Sequence, residues 1–183
     1  LTQINLPGGS IARYKYDGLG RRIEKSVGPA VSRYVYDNED ILLEFNAANQ
    51  LVARYTHGVG IDEPLMMERD LNADNTFQPT EQFFYHSDGL GSVTDLTNNI
   101  GSVVQSYAYD SFGNIVLQNG TIINPFAYTS REFDNESGLY FYRSRLSDPT
   151  LGRFTQEDPV GILGGVNFYT YVRNNPVRYT DPF

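Results

Sequence analysis

An all-β fold is what this 183-residue chain predicts, from three observations. A Tyr-x-Tyr-Asp unit recurs, as Tyr14-Lys15-Tyr16-Asp17, Tyr34-Val35-Tyr36-Asp37 and Tyr107-Ala108-Tyr109-Asp110. Fourteen Tyr and eleven Phe occur with no Trp. A strand tyrosine can bury its ring while its hydroxyl stays wet, which suits long sheets with thin cores. Seventeen Gly and nine Pro punctuate the chain, and no long stretch carries a 3.6-residue period.

The elements follow in order from the repeat. Weaker copies begin at Tyr55 and Tyr85, so leading tyrosines stand at 14, 34, 55, 85 and 107, and Tyr128 follows one interval later. One unit of about 21 residues holds two strands of about six residues and two turns, in other words one hairpin. The turns Asp17-Gly18-Leu19-Gly20 and Asp110-Ser111-Phe112-Gly113-Asn114 begin on Asp and supply Gly where φ is positive. In Tyr14-Lys15-Tyr16 the period of two puts both rings on one face. Tyr14, Tyr34 and Tyr107 are therefore expected at equivalent strand positions, as a cross-strand ladder. The long interval between Tyr55 and Tyr85 places its extra residues in the polar stretch from Asp70 to Thr80. From Asn124 to Pro182 alternation fades and Gly, Pro and Asn multiply, which predicts a compact cap or plug. Its expected anchors are Tyr140, Tyr142, Phe154, Phe168 and Tyr169.

Composition excludes several functions. Fourteen basic against 22 acidic residues give a net charge of −8, the wrong sign for a dedicated nucleic-acid binder. Residues 1–35 carry six basic and two acidic residues, 36–100 two and twelve, and 101–183 six and eight. The acidic middle reads as a solvated outer face, or as the lining of an interior that holds basic cargo. No apolar run approaches the roughly 20 residues of a membrane helix. The absence of Cys removes disulfides, thiolate zinc sites and cysteine nucleophiles, and leaves the compartment open. The chain begins at Leu1 with no charged or apolar leader, and its terminal repeats lack caps, so it reads as a fragment of a larger shell.

Few residues carry recognisable chemistry. Asp70-Leu71-Asn72-Ala73-Asp74-Asn75, with Glu81 further on, approximates a calcium loop, but Asn75 replaces the expected Gly and no helical period flanks it. A solvated turn is the preferred reading. His57 and His86 stand one per repeat without ligand partners and read as packing residues. No phosphate loop follows a strand, no serine sits in a nucleophile elbow, and neither a metal nor a cofactor is expected.

Several motifs together resemble the Rhs/YD-repeat family and its Rhs-associated core. They are Tyr14 to Arg21, Tyr85-His86-Ser87-Asp88-Gly89-Leu90-Gly91-Ser92, and an ordered series in the last third. That series comprises Arg131-Glu132-Phe133-Asp134, Gly138-Leu139-Tyr140-Phe141-Tyr142-Arg143, Leu151-Gly152-Arg153-Phe154, Asp158-Pro159-Val160-Gly161, Asn167-Phe168-Tyr169-Thr170-Tyr171, Asn174-Asn175-Pro176 and Asp181-Pro182. The resemblance implies a YD-repeat β-hairpin ribbon forming part of a hollow shell, with the array over residues 1–123 and an irregular C-terminal core over 124–183. It implies a parent that encloses a C-terminal toxic effector, is secreted or displayed at a cell surface, and releases the effector by self-cleavage just beyond Phe183. Asp158 and Asp181 match the family's aspartyl pair, and Arg153 is the residue expected to orient them.

Two close carboxylates can divide labour, one activating water as base while the other polarises the peptide carbonyl. Asp-Pro is also ordinary turn chemistry, as in Asp148-Pro149. Beyond self-cleavage in the parent no enzymatic activity is expected of this chain, and the Gly-Leu that follows Asp-Pro-x in cleaving members is absent from it. The implied partners are the rest of the parent polypeptide, with its further repeats and enclosed domain, together with a secretion apparatus or a cell-surface partner. No nucleic acid and no membrane segment are implied. A structural or adhesive surface protein is the alternative reading, and a carbohydrate-binding tyrosine face a third.

Overall fold

The computed structural model describes residues 1–181. Eleven strands form one antiparallel sheet in sequence order. They are β1 (Gln3–Asn5), β2 (Ile11–Tyr16), β3 (Arg22–Val27), β4 (Ala30–Asp37), β5 (Asp40–Phe45), β6 (Leu51–His57), β7 (Pro64–Arg69), β8 (Gln82–Ser87), β9 (Val93–Asn98), β10 (Val103–Tyr109) and β11 (Ile115–Asn119). A second, four-stranded meander comprises β12 (Glu132–Asp134), β13 (Leu139–Tyr142), β14 (Arg145–Asp148) and β15 (Arg153–Phe154). The first sheet is the hairpin ribbon that the repeat predicts. It is open, with β1 and β11 as its edges among the described residues.

The five leading tyrosines occupy β2, β4, β6, β8 and β10. Tyr14, Tyr34, Tyr55 and Tyr85 are buried, and Tyr107 is half-buried against the same cluster as Tyr34, Tyr55 and Tyr85. Register breaks at the same place in every repeat, after Lys15, Val35, Thr56, His86 and Ala108. One extra residue on each return strand (Ile23, Leu42, Leu65, Thr94, Val116) has no partner there, which is a β-bulge that bends and twists the ribbon. At three of the five breaks the next residue spans to the neighbouring hairpin. Tyr36 and Tyr109 donate their hydroxyls to the carbonyls of Arg22 (2.9 Å) and Val93 (2.7 Å), and His57 Nε2 lies 2.9 Å from the carbonyl of Ile41. The turns are closed by their own Asp. Oδ1 of Asp17, Asp88 and Asp110 accepts two backbone N–H groups each, and Gly20, Gly91 and Gly113 take positive φ.

After β11 the chain turns back over β10 at Gly120 (φ +94°), where a Cβ would lie 2.3 Å from Gln105 Oε1. Phe126 then packs edge-on against Tyr55, His57 and Tyr85, with centroids 5.5 to 6.0 Å apart. Spacing alone would make Tyr128 the start of a further hairpin. It lies instead in a short 3-10 turn, Tyr128–Ser130, with its ring against Tyr109 and Tyr140. Tyr140, Tyr142 and Phe154 are buried anchors as expected. Phe168 and Tyr169 are only half-buried, and Tyr171 takes their place, its hydroxyl 2.9 Å from that of Tyr142.

Candidate functional site

Arg145 opens β14 directly after a tight turn in which Arg143 takes φ +52°. The turn fixes where the Arg145 side chain can go. Its guanidinium lies buried over the Phe154 ring at 3.6 Å from the centroid, so the cation is held flat on an aromatic face. From there Nη1 donates to Asp158 Oδ2 at 3.0 Å and Nη2 to Asp181 Oδ2 at 2.8 Å. The two aspartates predicted as a pair, 23 residues apart in sequence, therefore meet on the two nitrogens of one fork.

Each aspartate is fixed from a second side. Asp158 Oδ1 accepts the N–H of Val160, its own N–H donates to the carbonyl of Phe168, and its carbonyl accepts from Gly161. Gly164 closes over it so tightly that an added Cβ would lie 2.7 Å from Asp158 Oδ2. The main-chain carbonyl of Asp181 accepts Arg131 Nη2 at 2.6 Å. Arg131 lies over the Tyr142 ring and pairs with Asp62 at 3.0 Å, and Asp62 pairs with Arg143 at 2.7 Å. Burial pulls Arg131 below the usual arginine value, Asp62 opposing and Arg143 reinforcing the shift. The site is thus an alternating chain of charges. It runs from the core meander to the loop between β6 and β7, which supplies Asp62.

Arg153, the expected orienting residue, is exposed on β15, where its main chain pairs with Asp148 and Thr170. Arg145, and not Arg153, is the arginine that contacts both aspartates. No alternation singles out Arg145, since Tyr140, Phe141 and Tyr142 are all buried before the turn and Arg145, Leu146 and Ser147 are all buried after it. Pro182 and Phe183 lie outside the described residues.

The calcium-like loop is a turn built on itself. Asp70 accepts the N–H groups of Asp74 and Asn75, and Glu81, buried, accepts those of Leu71 and Gln78. Among the described residues no group of three or more His, Asp or Glu is arranged to hold a metal ion. The tyrosine face is covered by the core segment rather than open, since Tyr85 donates to Asn124 Oδ1 and Tyr140 to the carbonyl of Gly113.

Comparison with known proteins follows the same lines. The Teneurin YD-shell family model matches residues 8–177. A tRNA(Glu)-specific nuclease WapA of Bacillus subtilis subsp. natto is 33% identical over the whole chain, which covers 8% of that protein. A double-stranded DNA deaminase toxin A of Burkholderia cenocepacia is 27% identical over 93% of the chain, 14% of its own length. Salivary gland surface protein 1 of Aedes aegypti is 32% identical over 92% of the chain, 5% of its own length. The crystal structure of TcdB2-TccC3-TEV superimposes over the whole chain with a TM-score of 0.77 at 23% identity, using 10% of that chain. This chain therefore spans a small fraction of the length of each of these relatives.

Proposed function

The chain belongs to the Teneurin YD-shell family, and from that premise we propose that it is a wall section of a shell whose parent polypeptide encloses a C-terminal effector and cuts itself free of it. In this reading residues 1–123 are wall and 124–183 are the core segment that seats the cut. The observation that carries it is the guanidinium of Arg145 shared by Asp158 and Asp181. A buried fork that receives two carboxylates from segments 23 residues apart does little for folding that an apolar contact would not do better. It does hold two carboxyl groups in a fixed relation. When a peptide bond lies beside them, one carboxylate can take a proton from the attacking water while the other, carrying a proton, donates it to the carbonyl oxygen; as the adduct collapses the C–N bond breaks and the first carboxyl returns its proton to the leaving nitrogen, the fork holding both groups at the same point. Arg145 is in this scheme a positioning residue, and Arg131, which grips the carbonyl of Asp181, sets the path of the chain leading away from the site.

The test uses a parent extended past Phe183. Asp158→Asn and Asp181→Asn, which keep size and turn preference, are each expected to leave a single uncut band with unchanged circular dichroism. Arg145→Lys is expected to slow cutting while Arg153→Lys leaves it at the parental rate. Cutting at the same place by the double Asn variant would end the proposal. Export to the cell exterior belongs to the same reading, supported by the names of the toxin and surface-protein relatives. The similarity to an insect salivary gland surface protein favours a second reading, a structural wall without cleavage. An extended parent that stays intact whatever stands at 158 and 181 would select it.

A further inference from the structure

A second cluster of ionisable side chains, apart from the aspartate fork, lies where the ribbon meets the core. A cavity of about 30 Å³, room for one small group, is bounded on the ribbon side by residues of β4 to β7 and on the other by Phe126, Arg131 and Arg143. His57, the last residue of β6, lines it with a side chain only 6% exposed, edge-on to the Phe126 ring. Its Nε2 lies 2.9 Å from the carbonyl of Ile41, and because a carbonyl only accepts, Nε2 carries the hydrogen. Nδ1 is left buried, without a hydrogen-bond partner and 3.7 Å from Oδ1 of Asp40, the first residue of β5. In a neutral imidazole Nδ1 is a lone pair, so two acceptors then face each other in a place largely shielded from water.

The other polar groups around the cavity are matched elsewhere. Arg21 pairs with Asp17 at 2.7 Å, Glu132 pairs with Arg22, and the Tyr36 hydroxyl is given to the carbonyl of Arg22. Asp62 takes Arg131 at 3.0 Å and Arg143 at 2.7 Å, and Glu39 takes Arg143 at 3.2 Å. Two arginines thus answer two carboxylates, which leaves Asp40 to His57. Asp37, opposite Asp40 across the β4–β5 turn, adds negative charge instead of relieving it. Burial pushes the Asp40 carboxyl above the ordinary Asp value; Asp62 and Asp37 reinforce the shift, while His57 and Arg143 oppose it.

We propose that His57 and Asp40 bind one proton between them on folding, and that this proton fastens the loop carrying Asp62 to the core. With the proton in place Nδ1 donates to Asp40, and His57, Arg131 and Arg143 balance Asp40, Asp62 and Glu39. Without it the set keeps one negative charge too many and the two acceptors repel. The loop that follows His57 is short and tied to itself: Gly58 donates to the carbonyl of Glu63 at 2.8 Å and Gly60 to Glu63 Oε2 at 2.9 Å. A shift of the imidazole therefore moves Asp62, and Asp62 holds Arg131. A proton that the folded pair binds and the unfolded chain does not gives stability that is fully present below the ordinary His range of about 6.5 and is lost as pH rises above it. The junction of wall and core is then tightest in mild acid, above the range in which Asp134 takes up its proton.

The chain has two histidines, and His86 is exposed on β8 with Nε2 3.0 Å from Thr97 Oγ1, so it is an internal control for imidazole nitrogen NMR of the 183-residue chain. Asp40→Asn is expected to lower the titration midpoint of His57 by about one unit or more and to leave that of His86 where it was. The new amide can donate to a neutral Nδ1, so this variant keeps the junction closed without a proton. Amide exchange then reads the junction itself. Corrected for the intrinsic exchange rate, wild-type protection from Arg131 to Tyr142 should fall several-fold between pH 6 and pH 8, whereas in Asp40→Asn it should stay level. His57→Gln, which keeps a donor for the Ile41 carbonyl, should also remove the pH dependence, and the titration of Asp40→Asn stands even if that variant fails to fold. Wild-type protection that does not change with pH, or an equal fall in Asp40→Asn, would overturn the proposal. So would a His57 midpoint unmoved by Asp40→Asn, the sign of a hydrated pair that shares no proton.

Discussion

The ribbon and the core meander are both antiparallel sheets, yet they are held together by different means. In the ribbon the repeated contacts are local or between neighbouring hairpins: an Asp closes its own turn, and Tyr36, His57 and Tyr109, each following a bulge, bridge to the hairpin before. In the core the polar contacts reach far along the chain. Arg22 on β3, 1% exposed, donates to Asp134 at 2.6 Å and to Glu132, residues 112 and 110 positions away, and its guanidinium lies over the Phe141 ring. Each repeat of the ribbon leans on its neighbours, whereas the core also leans on the wall through ion pairs that span more than a hundred positions.

The largest effect is therefore expected where the two regions are joined. Arg22→Met keeps the volume but leaves Asp134 and Glu132 buried with Lys25 alone to answer them, a loss of about 3–5 kcal/mol. Urea denaturation followed by both circular dichroism and limited proteolysis should show residues beyond 124 opened first. The same junction sets the acid limit. Burial opposes ionisation of Asp134, but Arg22 and Lys25 outweigh it and hold its carboxyl below the ordinary value. Its stabilisation is then fully present above the ordinary Asp range near 3.8 and is lost as pH falls below it. In Arg22→Met the main support for that depression is gone, so acid opening of the core should begin at higher pH. An unchanged acid midpoint would show that the latch is not what couples the two regions.

Next in size is the apolar side of the same junction. Phe126→Ala removes the ring seated on Tyr55, His57 and Tyr85 and leaves a cavity in the main cluster, at a cost of about 3–5 kcal/mol. The comparison predicts a division of consequences. Amide exchange should rise over the core and over β4 to β9, while β2 and β3, whose buried apolar residues form a separate cluster, keep their protection.

The same division explains what could be read beforehand. The ribbon was legible because its signal repeats: the order of Tyr, Tyr and Asp specifies strand, face and turn three times in full and twice in weaker form, so an error in one copy is corrected by the next. Even so, the bulge after each second residue left no mark, because the extra residue is an ordinary Ile, Leu, Thr or Val on the return strand. In the core, motif resemblance points to Asp158, Asp181 and Arg153, and Arg145, which the structure places against both aspartates, carries no such mark in the sequence. Both arginines sit near aromatics in sequence. What separates them is a reversal of direction at a two-residue turn with Arg143 in a left-handed conformation that its side chain does not advertise. Tyr171 was missed for Tyr169 for the same kind of reason, since Val172, Arg173 and Asn174 all take positive φ and swing the chain so that the later ring faces inward.

The smallest effect is expected in a ribbon turn, and its smallness is the informative part. Asp110 Oδ1 accepts the N–H groups of Phe112 and Asn114, and burial raises its carboxyl pKa less than the Asn114, Phe112 and Gly113 donors lower it. Asp110→Ala removes these bonds at the surface, where water replaces much of what is lost, so the cost is about 1 kcal/mol. Asp88 closes an equivalent turn one hairpin earlier and the same loss is expected there, with no coupling between them, because the two carboxylates share no hydrogen-bond partner. The Asp88→Ala/Asp110→Ala pair should therefore add within experimental error in urea denaturation. Asp110 has one feature that Asp88 lacks: its second oxygen holds the amide of Asn114, which in turn grips the carbonyl of Pro149 in the core. If Asp110→Ala proves several-fold more costly than Asp88→Ala, the excess measures that tether. The boundary between local ribbon and long-range core would then run through the turn before β11 rather than after it.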